Sequence, residues 1–430
     1  MGVTASPLSA PLFPFRRVYE KGCIMEKEML DQAGRYLVHL IDCGLYDVPA
    51  QPIPTGVTWR CVHALAAYNS VEGMAWFGAE TRDDIPADLR RQWENEAQMT
   101  LFRRVRFDAE RERVFAALAL EGLAYLPMKG ALLTNYYPRP EMRSMADNDF
   151  LYGFVEPVEG EGFRVCGATH AEREATVERA VRAIEHVMRD LGYTTKSLRV
   201  SNHESFEKKP IFNFEPHRRL MSPSSPMAAY YENPWKRAIQ DEHDPHLFRF
   251  SDEDEYVYIM AHAFKHFDAA GCGIRFVVDT RVFLDAKGMG MDWDYVFSEL
   301  RETGLLDFEA RVRALADVGF GGSCAVDPLP LEQTDLLRYL LGSGTYGTSN
   351  RMVENRLDKQ KAQHEGDLGA AKRGYLRERL TNDEALGYLF PRASKIAPLR
   401  PALQLVRYAR GIVRNPKKLA NEIKLLIRAK

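Results

Sequence analysis

The pattern of apolar and polar positions divides the chain into stretches of different period. Through residues 25–40 and 59–77, apolar side chains recur every three to four positions, which predicts amphipathic helices. Residues 88–120 carry more Arg and Glu than hydrophobes. Their opposite charges fall three and four apart, as along the face of one long helix. From about residue 120 the period shortens. Residues 123–128 read as a strand, 130–136 as a short helix, 149–155 as a strand and 172–191 as an amphipathic helix, with further strands at 193–200 and 210–217. Beyond about 223 helical spacing returns over 256–267, 275–286, 293–303, 308–318 and 331–341, with turns at Pro330, 342–349 and 391–401. No internal repeat is evident. The division is a helical N-terminal region over 1–119, an α/β core over 120–222, a helical domain over 223–390 and a basic helical tail over 391–430.

Candidate chemistry concentrates in the α/β stretch. Asp147 and Asp149 are two residues apart, so on a strand both carboxylates project from one face. Two carboxylates side by side repel each other and call for a cation. Hard oxygen donors of this kind suit Mg²⁺, which takes one or two carboxylates plus substrate phosphates. Upstream, Lys129 and Gly130 end a strand and open a helix, and a glycine there lets phosphate oxygens approach backbone N–H groups. In residues 210–217, Phe212 and Phe214 fall on one strand face, and Asn213, Glu215 and His217 on the other. If that strand lies beside the aspartate strand, Glu215 reaches the same face as a third carboxylate. Two bland alternatives stay open: a surface turn for Asp147 and Asp149, and a solvated half-buried strand for Glu215 and His217.

A strand, Lys129-Gly130, a helix, Arg143 and then Asp147-x-Asp149 resembles the minimal nucleotidyltransferases of the polymerase-beta type. More narrowly, it resembles a bacterial group of uncharacterised nucleotidyltransferases. The resemblance implies an α+β fold, a small mixed-sheet nucleotidyltransferase core flanked by N-terminal and C-terminal helical regions. It implies Asp147, Asp149 and Glu215 as the catalytic residues and the ligands of Mg²⁺. An NTP, with ATP the expected donor, would bind at Lys129, Gly130 and Arg143. A nucleoside monophosphate would pass to a hydroxyl of an acceptor, releasing pyrophosphate. Protein, RNA and small-molecule acceptors all fit. Two positions depart from the pattern: Asn148 stands where an aliphatic is usual, and the strand after it is aromatic.

A second constellation follows. His262 and His266 are four apart, on one helical face. Ala263 occupies the place of the Glu in a His-Glu-x-x-His zinc site, and no thiolate or carboxylate sits at ligand spacing, so a buried histidine pair outweighs a metal pair. The resemblance extends over about residues 121–305 and implies that His217, His262, Lys265, His266 and Asp279 line the substrate side of the cleft. Two rival readings are carried. One is a degenerate relative that binds a nucleotide or a partner and transfers nothing, for which Asn148 speaks. The other is a phosphotransferase, which the lack of a His-Arg-Asp or Asp-Phe-Gly loop disfavours.

Composition narrows the class. The chain has 430 residues, enough for two or three domains, and its 45% hydrophobic and 27% charged content is ordinary for a globular protein. Six scattered cysteines without Cys-x-x-Cys spacing exclude a zinc module or a disulfide framework and lead us to expect a reducing, cytoplasmic setting. No apolar run approaches the roughly eighteen residues of a transmembrane segment. Charge is uneven. Residues 391–430 hold eleven Lys and Arg against Glu422 alone, while the other 390 residues carry a net −12. With Leu403, Leu405, Val406, Ile412, Val413 and Ile423 at helical spacing, this tail suits an anionic partner, either a membrane surface, nucleic acid or the protein's own acidic remainder. Docking on the remainder is the favoured of the three. Tyr408 is its sole aromatic, which argues against a base-stacking platform.

Overall fold

The computed structural model describes residues 27–430 except 382–385, 387, 388, 391, 392, 394, 395, 415, 429 and 430. Cys23, Met25 and, in the basic tail, Arg392, Lys395 and Lys430 lie outside the described residues. Helix α1 (Lys27–Tyr46) buries Tyr36, Leu37, Leu40 and Ile41 on one face. The single helix expected over 59–77 is two, α2 (Trp59–Tyr68) and α3 (Glu72–Ala79). They part at Asn69, whose amide donates to the Leu65 carbonyl at 3.0 Å, and at Ser70, whose φ of +53° leaves the helical region. A polar side chain that bonds locally to backbone competes with helix continuation. The charged stretch after them does form one helix, α4 (Ala87–Leu120).

The sheet follows in the order β1 (Ala124–Pro127), short helix α5 (Gly130–Leu133), β2 (Asn148–Gly153), hairpin β3 (Val155–Val158) and β4 (Gly162–Val165), helix α6 (His170–Asp190), β5 (Thr194–Ser197), β6 (Ser205–Lys208) and β7 (Phe212–His217). A Thr169–Glu172 capping box starts α6. Five strands form one mixed sheet in the order β1–β2–β7–β6–β5, with β2 and β7 parallel and the other neighbours antiparallel. The fold is therefore α+β, as the resemblance implied.

Each sheet face has its own cover. Phe150, Tyr152, Phe206, Phe212 and Phe214 point to one side, where Phe107, Val114 and Leu118 of α4 and Val181, Ile184 and Met188 of α6 close over them. Each fully buried phenylalanine there stabilises the sheet by roughly 1.5–3 kcal/mol. On the opposite face Leu126 and Leu151 join the main helical core. That core combines α1–α3 with α7 (Asp252–Ala270), α8 (Arg275–Lys287), α9 (Trp293–Glu302), α10 (Leu306–Phe320) and α11 (Leu331–Ser343). Asp149, Glu215 and His217 share the face of Leu151, so they lie in the seam between sheet and helical body.

At the C-terminal end, α12 (Ser349–Gln363) and α13 (Leu368–Thr381) precede α14 (Arg400–Arg414) and α15 (Pro416–Arg428). A satellite core of Val353, Leu357 and Tyr375 receives Leu425 and Leu426 of α15, and Tyr375 hydrogen-bonds Glu422 at 2.6 Å. Helix α14 is tied down through Arg407, which donates to the Arg379 carbonyl at 2.8 Å. Its apolar stripe faces outward. Leu405 is 71% exposed and Val413 is 80% exposed. The expected docking thus holds for part of α15 and fails for the stripe of α14.

Candidate active site

The site is assembled by strand register. Parallel pairing sets Asp149 opposite Glu215 and Leu151 opposite His217, so all four side chains leave the same face. Asp147 stands one residue before β2. Asn148, fully buried, turns to the α4 side, where its Oδ1 accepts from Arg111 at 3.0 Å and its Nδ2 has no partner among the described residues. The polar residue in the place of an aliphatic is thus met by an arginine, which Asp108 holds at 2.6 Å.

Lys129 sits between β1 and α5 at φ +53° and ψ −123°, a conformation that costs a non-glycine residue about 1–3 kcal/mol and that clusters at functional sites. Its ammonium lies 2.6 Å from Oδ1 of Asp149, and His217 Nε2 lies 2.9 Å from the same oxygen. Asn202 Nδ2 approaches the other His217 nitrogen at 3.3 Å, and it also donates to the Arg219 carbonyl at 3.2 Å. An amide donor facing Nδ1 assigns the proton to Nε2, so the imidazole donates to Asp149.

Burial alone would push the Asp149 carboxyl up, but Lys129 and His217 hold it well below the usual carboxylate range. Asp147 has no hydrogen-bond or ion-pair partner among the described residues, although Lys129, Arg275 and Arg143 pull it down from a distance. Burial, and then the Asp149 charge, push it up to about 6. Glu215 is pushed up to about 7 by burial, then by Asp149 and Asp147. Burial followed by Lys129 depresses both His217 and His203 to about 4, keeping the rings neutral.

The residues fit a hard divalent cation on one count. Asp147 accepts no hydrogen bond or ion pair from the described residues, and both contacts to Asp149 fall on Oδ1, so neither takes Oδ2. Among the described residues, the set whose ligand atoms all lie within 4.8 Å of one another is His203, Glu215 and His217, not the three carboxylates. His203 Nε2 is 3.6 Å from Glu215 Oε2. His203 carried no motif. Only an antiparallel bridge to His217 brings it in.

Helix α7 supplies the opposite wall. Tyr258, His262 and His266 recur every four residues, with ring centroids 6.2 Å and 4.6 Å apart in succession. Burial and then Lys129 depress His262, and Asp149 acts on Tyr258 and His266, so this stripe lies within electrostatic reach of the Lys129–Asp149 pair. Lys265 acts on His266 in the same sense. Arg143 and Asp279 meet each other instead. Nε and Nη2 of Arg143 reach the two Asp279 oxygens at 2.7 and 2.9 Å, and the Tyr137 hydroxyl donates to Asp279 at 2.6 Å. A Cβ on Gly130 would stand 2.8 Å from Arg143 Nη1, so the glycine makes room for a guanidinium.

A model of an uncharacterised nucleotidyltransferase family matches residues 55–156 and 176–321, more than half of the chain. The chain belongs to this nucleotidyltransferase family. No curated protein and no solved structure matches it. The family supports nucleotidyl transfer as the general role. Its match takes in every candidate residue from Lys129 to Asp279 and starts at 55, ahead of the expected 121, so α2, α3 and α4 belong to the family unit as well. These helices bring residues that the motifs did not disclose. A cleft of about 450 Å³ opens beside the segment leading to Asp147, lined by Glu72, Gln92, Arg103, Ala146, Arg275 and Tyr346 among others.

Proposed function

We propose that the protein is a Mg²⁺-dependent nucleotidyltransferase that moves a nucleoside monophosphate from an NTP, ATP by expectation, to a hydroxyl of an unidentified acceptor. The observation that carries this reading is the parallel register that sets Glu215 opposite Asp149, one residue beyond Asp147-Asn148. Asp147, Asp149 through Oδ2, and Glu215 would hold the cation. When bound, it supplies charge stabilisation to the attacking and leaving oxygens of an in-line displacement. Lys129 and His217 fix the Asp149 carboxylate from its other side. Glu215 takes the proton of the acceptor hydroxyl as its oxygen bonds to the α-phosphorus. The bond from the α-phosphorus to the bridging oxygen breaks, and pyrophosphate leaves with that electron pair.

A second reading has its own support. The Lys129–Asp149 ion pair already offsets a buried carboxylate, as in a relative that retains the fold without turnover. Incubation with α- and γ-labelled NTPs separates the two. Label from the α position on an acceptor, lost in Asp149→Asn, supports transfer; nucleotide binding without transfer favours the non-catalytic relative. An anionic partner for the basic C-terminal helices belongs to the same proposal, and we assign it to a lipid surface. Among the described residues no helix is long and apolar enough to cross a membrane.

A further inference from the structure

Most arginines in the sheet region and the main helical body are spent on carboxylates or carbonyls, as Arg104, Arg111, Arg143 and Arg237 are. Arg275 and Arg103 are not. Neither forms an ion pair or hydrogen bond with the described residues, and both line the cleft of about 450 Å³. Arg275 is half-buried, and it is the first residue of α8, a helix with no acidic side chain in its first turn. A cation at that position opposes the helix dipole, whose N-terminal end is itself positive. Glu72, Asp147 and Asp279 act on this half-buried guanidinium electrostatically, but none pairs with it directly, so its donors stay open to an anion in the cleft.

The same cleft reaches the carboxylates. Ser144, Met145 and Ala146 line it immediately before Asp147, and Arg275 acts on Asp147 electrostatically. Two acids share its wall with the arginines. Glu96 is paired with His63 at 2.7 Å, and burial, then Glu96, push Glu72 up to about 7. At the other extreme Tyr346 is 77% exposed and Met99 51% exposed, although both line the cleft. An exposed aromatic ring in the cleft wall offers a stacking surface for a base. The volume falls within the roughly 300–1,000 Å³ of small-molecule sites.

We propose that this cleft is the nucleotide subsite, with Arg275 and Arg103 receiving the polyphosphate and Tyr346 stacking on the base. The inference rests on the transferase reading for the identity of its ligand, but it assigns binding to residues outside the carboxylate cluster. It also relieves Arg143 of the polyphosphate, since Asp279 already engages that side chain on two nitrogens.

Calorimetry on the full-length protein in Mg²⁺, with each NTP and with inorganic tripolyphosphate, tests it. Arg275→Gln should weaken both nucleotide and tripolyphosphate at least tenfold, and Arg103→Gln by a smaller factor. Tyr346→Ala should weaken the nucleotide about tenfold while leaving tripolyphosphate within twofold. The thermal midpoint of ligand-free Arg275→Gln should match or exceed that of the parent, which excludes misfolding as the cause. Wild-type affinity for tripolyphosphate in Arg275→Gln overturns the assignment, as does failure of the parent protein to bind any NTP. Equal losses for both ligands in Tyr346→Ala overturn the stacking role. Absence of α-label transfer with this binding pattern intact would sink the transferase reading alone. Transfer that survives Arg275→Gln at unchanged KM would sink the subsite alone.

Discussion

Asp147 and Asp149 look alike in the sequence and differ in the structure, and the difference sets distinct expectations for their variants. Asp149 shares its Oδ1 with Lys129 and His217, and both it and Lys129 are largely buried. Asp149→Ala would leave a buried ammonium unpaired, a loss of about 3–5 kcal/mol. Asp147→Ala removes only a carboxylate that burial and Asp149 already disfavour. Its unfolding free energy from urea denaturation should stay within about 0.5 kcal/mol of the parent's or rise, while both variants lose Mg²⁺-dependent transfer. Equal destabilisation of the two would contradict the pairing described here. The shared strand face was legible from the two-residue spacing. The Lys129 ion pair was not, because it depends on a left-handed backbone at a lysine, for which the sequence gives no sign.

Glu255 offers a pH test away from the carboxylate site. Burial, then Asp252, push its carboxyl up to about 7, and its Oε1 has no hydrogen-bond partner. The folded state therefore favours the protonated form, and the unfolded chain releases the proton at lower pH. Stability is complete below the unfolded value of 4.5, falls as pH rises from there to about 7, and is constant above. Glu255→Gln should remove that loss. Its gain over the parent should be near zero at pH 4.5 and reach up to about 3 kcal/mol at pH 8. Urea denaturation at the two pH values measures it, and a gain independent of pH would refute the assignment.

Among elements, β7 shows how far alternation alone can carry. Phe212 and Phe214 lie in the core beneath α4 and α6, and Glu215 and His217 lie on the Asp149 face. What alternation could not give was the neighbour. Parallel pairing with β2 is decided by the helix and strands between them, among them β6, a four-residue strand too short and polar to show a period. The β3–β4 hairpin was hidden in the same way, since β2 stops at Gly153 while the aromatic run continues into Phe154. The charged helices α12 and α13 bury few side chains and carry little apolar periodicity to read. The pairing yields a prediction for Glu215→Gln, which keeps the shape and removes the charge. Turnover should fall at least a hundredfold, the range of a lost general base, while NTP affinity changes less than threefold. Near-normal kcat would move the third carboxylate elsewhere.

At the scale of the whole molecule, the amphipathic character of the tail was legible but its orientation was not. On α14, Leu405, Val406, Ile412 and Val413 occupy one arc, and Arg400, Arg407, Arg410 and Arg414 another. The favoured expectation turned the apolar arc inward. Instead Arg407 is the buried anchor, and Leu405, Val406, Ile412 and Val413 are exposed, as are Ile423 and Ile427 of α15. A hydrophobic arc facing out with cations alongside matches an anionic lipid surface, where apolar burial and charge attraction act together. The full-length protein should co-sediment with phosphatidylserine-containing vesicles and not with neutral ones, and the binding should weaken as salt rises. Leu405→Asp with Val413→Asp should abolish co-sedimentation while the thermal midpoint holds, because those side chains are already in water. If the double variant sediments like the parent, the lipid surface is the wrong partner. If the parent instead shows salt-dependent RNA affinity and ignores vesicles, the tail reads phosphates of another kind.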